Sequence, residues 1–172
     1  MVHYGLHADY CGWETLNGRQ NTEVTVTETK PPTSPTSTSV GAQDDIELRL
    51  GASLVHLPII RSVAASIAMR ADFDLDSIAD LRLAVDEACS TLITRALPDS
   101  TMTCRFTIDE DQLLFRGTVL STETEAPSTT SFGWRVLTTL ADAASAWTEQ
   151  HPENGQRNWI HIELAKRKPA FT

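Results

Sequence analysis

Glu87 and Thr91 are the residues of this chain whose types and spacing could do chemistry. They sit four apart in the stretch Asp80-Leu-Arg-Leu-Ala-Val-Asp-Glu-Ala-Cys-Ser-Thr-Leu-Ile93, and residues four apart on a helix share a face. A carboxylate can take up a proton and a hydroxyl can offer an oxygen to a cation, so the pair could serve a nucleotide and its metal. It could equally be a wet helix surface. At about 100° per residue, Leu81, Val85, Ala88, Cys89 and Leu92 form an apolar stripe, with Glu87 and Thr91 roughly opposite.

Other chemistries find no footing. There is no GxSxG elbow, Walker loop, HExxH or dinucleotide fingerprint. Gly133 is the only glycine between Gly117 and Gly155, fewer than a phosphate cradle of backbone amides would want. The histidines at 3, 7, 56, 151 and 161 are scattered and no CxxC occurs, so no zinc site is expected. Cys11, Cys89 and Cys104 are unevenly spaced and read as reduced thiols, with Cys89 on the apolar stripe. A net charge of −9 argues against nucleic acid as a main partner, because phosphate backbones need clustered Lys and Arg. No stretch is long and apolar enough to span a bilayer, and no signal-peptide layout opens the chain. The expectation is a cytoplasmic protein that binds no membrane.

The elements that must position Glu87 and Thr91 follow from patterning. Residues 1–41 include Lys30-Pro-Pro-Thr-Ser-Pro-Thr-Ser-Thr-Ser39 and have little to bury, so a disordered N-terminal tail is expected. The folded domain is expected over 42–168, with a short C-terminal tail at 169–172. Ile46, Leu48 and Leu50 alternate as a strand. A helix follows over 54–69, with Pro58 tolerated in its first turns. The second helix runs over 76–96, capped by Asp76 and stopped before Pro98. Strands at 102–108 and 113–120 flank the acidic turn Asp109-Glu-Asp111, and 121–131 reads as a loop. A third helix over 132–144 carries Val136, Leu137 and Leu140 on one face. A hairpin around Asn154-Gly155 closes the domain, its last strand alternating Ile160, Ile162 and Leu164 against Trp159 and His161. The order β-α-α-β-β-α-β-β is that of an α+β fold, a two-layer sandwich of helices on a mostly antiparallel sheet.

The block from Leu81 to Ile93 is followed about forty residues on by Ser131-Phe-Gly-Trp-Arg-Val-Leu-Thr-Thr-Leu-Ala-Asp142. Together the two blocks resemble the RsbW-type anti-sigma factors of the histidine-kinase-like ATPase superfamily, the Bergerat fold. The closer likeness is to actinobacterial members that hold stress-response, sigma-F-type sigma factors. It covers residues 44–168 in element order and does not reach the tail.

The resemblance implies ATP and Mg²⁺ as cofactors and assigns roles residue by residue. In the family's first motif a Glu is the general base and an Asn four residues later binds the metal. Glu87 matches the base, and Thr91 stands at the metal and nucleotide position with one oxygen to offer. The Asp-x-Gly-x-Gly motif that reads adenine falls at Leu120-Ser-Thr-Glu-Thr-Glu-Ala-Pro127, which has neither Asp nor Gly; Glu123 and Glu125 are its only acids. The Gly-x-Gly beneath the phosphates reads Ser131-Phe132-Gly133, making Ser131 and Gly133 the implied cofactor-binding positions. Phosphoryl transfer depends on positioning and on charge stabilisation around metal and phosphates, so these departures weaken nucleotide binding and turnover together. Sequestering a protein needs only a complementary surface.

The function the resemblance implies is an anti-sigma factor that keeps an alternative sigma factor from RNA polymerase. A STAS-type anti-anti-sigma antagonist would release it. The alternative is an active ATP-dependent serine kinase that phosphorylates that antagonist, with Glu87 as its base. The family usually works as a homodimer, so a homodimer is expected here. Residues 42–172 carry −7, since the tail holds four acids and two bases, and such a surface suits basic patches on a sigma factor.

Overall fold

The computed structural model describes residues 44–152 and 155–168. The expected tails at 1–41 and 169–172, Cys11, and Asn154 of the expected hairpin lie outside the described residues.

Alternating side chains build the sheet, because successive residues of a strand point to opposite faces. Strand β1 (Asp44–Gly51) pairs with β2 (Thr101–Ile108), β2 with β3 (Gln112–Ser121), β3 with β5 (Asn158–Arg167), and β5 with β4 (Ala143–Gln150). The order is β1-β2-β3-β5-β4, and the sheet is antiparallel throughout. Met102, Cys104 and Phe106 of β2, Leu113, Phe115 and Val119 of β3, and Ile160, Ile162 and Leu164 of β5 all turn inward and are fully buried. Phe106 and Phe115 meet at a tilt of 55°, centroids 5.2 Å apart.

Helices α1 (Leu57–Arg70), α2 (Leu75–Ile93) and α3 (Phe132–Leu140) supply the second layer, giving the expected α+β sandwich. Helix α2 is its centre and packs against α1, α3, β3 and β5. Its stripe of Leu81, Val85, Ala88, Cys89 and Leu92 is buried as the periodicity requires, joined by Ile78 and Ala84. One glycine sets how closely α2 approaches the sheet. A Cβ at Gly117 would lie 2.6 Å from Leu92 Cδ1, so the missing side chain is the space that Leu92 fills.

Several element ends differ from the sequence expectation, each for a local reason. The N-cap of α2 is Asp74, whose Oδ1 accepts the Ser77 amide at 2.7 Å; Asp76 lies inside the first turn. A single 3-10 turn, Leu54–His56, precedes α1, and Pro58 sits in the first turn of α1, where its missing N–H costs nothing. Helix α1 ends in a Schellman arrangement, with Asp72 at φ 60° and the Phe73 amide donating to Ala68 O. Helix α2 stops at Ile93, not 96, and the Leu97 amide donates instead to Leu120 O of β3. Helix α3 stops at Leu140, not 144, because Ala141 turns extended and Ala143 pairs with Ala165 as the start of β4. Strand pairing overrides the helical preference of the alanines there. Strand β4 ends at Gln150 opposite Asn158 of β5, and the His151 amide donates to Arg157 O just beyond.

The cap carries a pH signature. The Ser77 amide, then its hydroxyl, holds the Asp74 carboxyl below the usual range. A carboxyl whose folded pKa is depressed contributes stability above its unfolded pKa, and that contribution is lost as pH falls through the folded value. Asp74→Ala is therefore expected to lower the Tm at neutral pH and to cost nothing once the pH is well below the carboxylate range. Thermal unfolding at the two pH values checks it; an equal loss at both would contradict the cap.

Candidate functional site

Helix α2 delivers Glu87 and Thr91 together, one turn apart, but not onto a wet face. Every residue from 86 to 93 is buried or half-buried, with both α1 and α3 packed against this helix. The exposed face of α2 lies further back, at Ala79, Arg82 and Leu83. Position opposite the apolar stripe does not mean solvent when a third helix closes the gap.

Glu87 meets Gly133 in the first turn of α3. A Cβ built on Gly133 would fall 3.2 Å from Glu87 Cδ and far inside contact distance of Oε1. The carboxylate thus takes the space that the missing side chain leaves. It rests beside the amide end of a helix, where a negative charge is favoured. Ser131 is the N-cap of α3: its Oγ accepts the Trp134 amide at 3.1 Å and donates to Ser128 O at 3.0 Å. Thr91 is half-buried, and its carbonyl accepts the Thr94 hydroxyl at 2.9 Å. Of the four implied nucleotide residues, the fold brings Glu87 and Gly133 into contact, leaves Thr91 a turn along α2, and employs Ser131 in capping.

These groups fit a nucleotide only in part. Mg²⁺ retains waters and takes one or two protein oxygens besides phosphate, so a carboxylate and a hydroxyl suit it chemically. Among the described residues no cluster of three His, Cys, Asp or Glu could hold a metal ion. The space over Gly133 is filled by Glu87, so phosphates could reach α3 only after that side chain moves. As they stand the residues do not form a phosphate cradle.

The segment after β3 has another task. The Ser121 hydroxyl, almost completely buried, donates to Arg95 O at 2.6 Å and accepts the Glu123 amide at 3.1 Å. The Glu123 carboxylate pairs with the Arg95 guanidinium, and its carbonyl accepts Asn158 Nδ2 at 3.0 Å. Glu123 thus stitches the end of α2 to β3 and β5, while Glu125 is exposed. The sequence reading missed Ser121 and Asn158; the available signal was a polar residue closing or opening an apolar strand.

Two outer surfaces stand out. On the helical side, Pro58, Arg61, Ser62, Ala79, Arg82 and Leu83 line a groove of about 480 Å³ between α1 and α2. Arg61 Nη1 lies 3.4 Å from Asp86 Oδ2. Leu54 and Val55 of the 3-10 turn, Ile59 of α1 and Leu83 of α2 are each more than half exposed, and exposed apolar side chains are material for a binding surface. On the sheet side, among the described residues, no helix covers β5 and β4. There Trp147 stacks on His161 with centroids 4.9 Å apart, and Arg116 lies 5.3 Å above the Trp147 ring. His161 Nδ1 shares a 2.9 Å hydrogen bond with the Thr118 hydroxyl, and burial lowers its pKa.

Comparison with known proteins agrees with this architecture. Residues 50–163 match the histidine kinase-like ATPase domain family. The chain is 34% identical over 127 residues to the anti-sigma-F factor RsbW of Mycobacterium tuberculosis, covering 73% of this chain and 74% of that protein. It is 35% identical over 80 residues to the serine-protein kinase RsbW of Bacillus velezensis, covering 45% and 48% respectively. A crystal structure of RsbU and RsbW domains from Mycobacterium tuberculosis aligns with a TM-score of 0.49 at 16% identity, covering 74% of this chain and 34% of that one. With the buried stripe, the two sequence blocks and the sheet order all in place, the chain belongs to the histidine kinase-like ATPase family, in its RsbW anti-sigma-factor branch.

Proposed function

We propose that the chain is an anti-sigma factor that sequesters a stress-response, sigma-F-type sigma factor from RNA polymerase, and that a STAS-type antagonist competes for it and sets the sigma factor free. The observation that carries this reading is the similarity to a protein named anti-sigma-F factor, over nearly three quarters of both chains. The Glu87 side chain rests against Gly133, and sequestration of a protein needs no nucleotide there.

The surface that suits a protein partner is the outer face of α1 and α2. Leu83 and Arg82 line the groove between these helices, and Leu54, Val55 and Ile59 are exposed apolar side chains at and just before the start of α1. An apolar centre with a charge beside it is how interfaces gain affinity and register. No described helix is long and apolar enough to cross a membrane.

A homodimer is expected from the family, and an isologous contact needs a patch that complements itself. The uncovered sheet face is a candidate, because Arg116 and Arg105 are already neutralised there within the chain by Glu163 at 2.8 Å and Glu47 at 3.1 Å. Sedimentation equilibrium is expected to give the mass of two chains; a monomer at micromolar concentration would contradict this contact.

Two substitutions separate binder from kinase. Glu87→Gln is expected to leave capture of the sigma factor unchanged, while Leu83→Glu weakens it about tenfold, or ~1.4 kcal/mol. Both are read as sigma factor retained on immobilised chain, with phosphate transfer to the antagonist measured in parallel. Rapid transfer by the native chain that Glu87→Gln abolishes would favour the kinase.

A further inference from the structure

Beneath Glu87, on the buried side of α2, the Cys89 and Cys104 sulfurs lie 3.9 Å apart. Both residues are fully enclosed, and both thiols are free. The approach follows from the sheet. Cys104 turns inward from β2 and is the register partner of Gly117 on β3. Leu92 drops into the space at Gly117, and Cys89, three residues back on the same stripe, is thereby lowered onto Cys104. The same glycine that seats the helix makes the sulfur contact.

We propose that Cys89 and Cys104 are a latent dithiol that closes to an intramolecular disulfide under hydrogen peroxide, pinning the helix that carries Glu87 and Thr91 to β2. A disulfide needs its sulfurs at about 2.04 Å, so the pair must close by roughly 1.9 Å. The bond also ties down the helix that lines the partner groove with Arg82 and Leu83. Oxidation of the pair stands independently of the proposed function; its effect on a partner rests on that reading.

The chemistry balances with peroxide as the oxidant. One thiolate sulfur attacks a peroxide oxygen and breaks the O–O bond, giving a sulfenic acid and a hydroxide that leaves as water. The second sulfur attacks the sulfenic sulfur and expels the other oxygen, also as water. Two thiols and one peroxide become one disulfide and two waters. The Cys104 thiol and burial raise the Cys89 pKa well above its usual value, so thiolate is scarce while α2 stays seated. The pair reacts when α2 loosens, which makes it responsive to oxidant and unfolding stress acting together.

The test uses the full chain with Cys11→Ser, so that the third thiol cannot exchange. After peroxide in mild urea, removal of both and refolding, remaining thiols are alkylated and the chain is cut with trypsin. Arg82, Arg95 and Arg105 place the two cysteines in separate peptides. The expected result is one linked pair of those peptides, two hydrogens lighter than the free ones, and a Tm higher by roughly 5–10 °C that dithiothreitol reverses. Cys104→Ala should show no link and no Tm rise. Both cysteines recovered alkylated, or each oxidised singly to sulfinic acid, would overturn the proposal. A link formed without change in sigma capture would instead overturn only its coupling to the partner surface.

Discussion

Leu92 reaches into the space that a side chain at Gly117 would occupy, and the seating of α2 on the sheet follows from that contact. A helix held this close presents a narrow set of side chains to its surroundings. Its stripe is consumed by the core and its flank is met by α3. The carboxylate of Glu87 is left with one place to go, the first turn of α3 at Gly133. The sulfur contact at Cys89 and Cys104 is another consequence of the same approach. Site and core are therefore one packing problem, because interiors are close-packed and transmit displacement.

The electrostatics of the site point the same way. Helix α3 is short and its N-terminal amides need partners. Ser131 supplies one, and Glu87 brings a negative charge to the same end. Apolar side chains remain exposed elsewhere, on the 3-10 turn Leu54–His56 and on α1 and α2.

Much of this was legible in the amino-acid order. Period-two alternation in β2, β3 and β5 and the stripe of α2 identified the layers, because burial on one side leaves a strong mark on residue type. What failed was local. Alanines at 141, 143 and 144 read as helix, yet pairing with β5 decided their state. Asp76 was read as the cap, but the reach of Asp74 to the Ser77 amide places the cap two residues earlier. Glu87 looked solvent-facing because one helix alone has no record of the neighbour that covers it. The groove between α1 and α2 was invisible for a related reason: it depends on the mutual orientation of the two helices, which neither helix alone records. Gly133 and Ser131 were identified as a pair from their motif, but the contact with Glu87 and the capping role are properties of the folded chain.

The central claim is that this chain captures its sigma factor through a surface that works without nucleotide. Transcription from a sigma-F-type promoter, with core polymerase and sigma factor fixed and the chain titrated in the absence of ATP, tests it most directly. The expected result is full inhibition near one dimer per sigma factor, unchanged when Mg·ATP is added and lifted by the antagonist. Inhibition that appears only with Mg·ATP would contradict the claim and return Glu87 to a catalytic place.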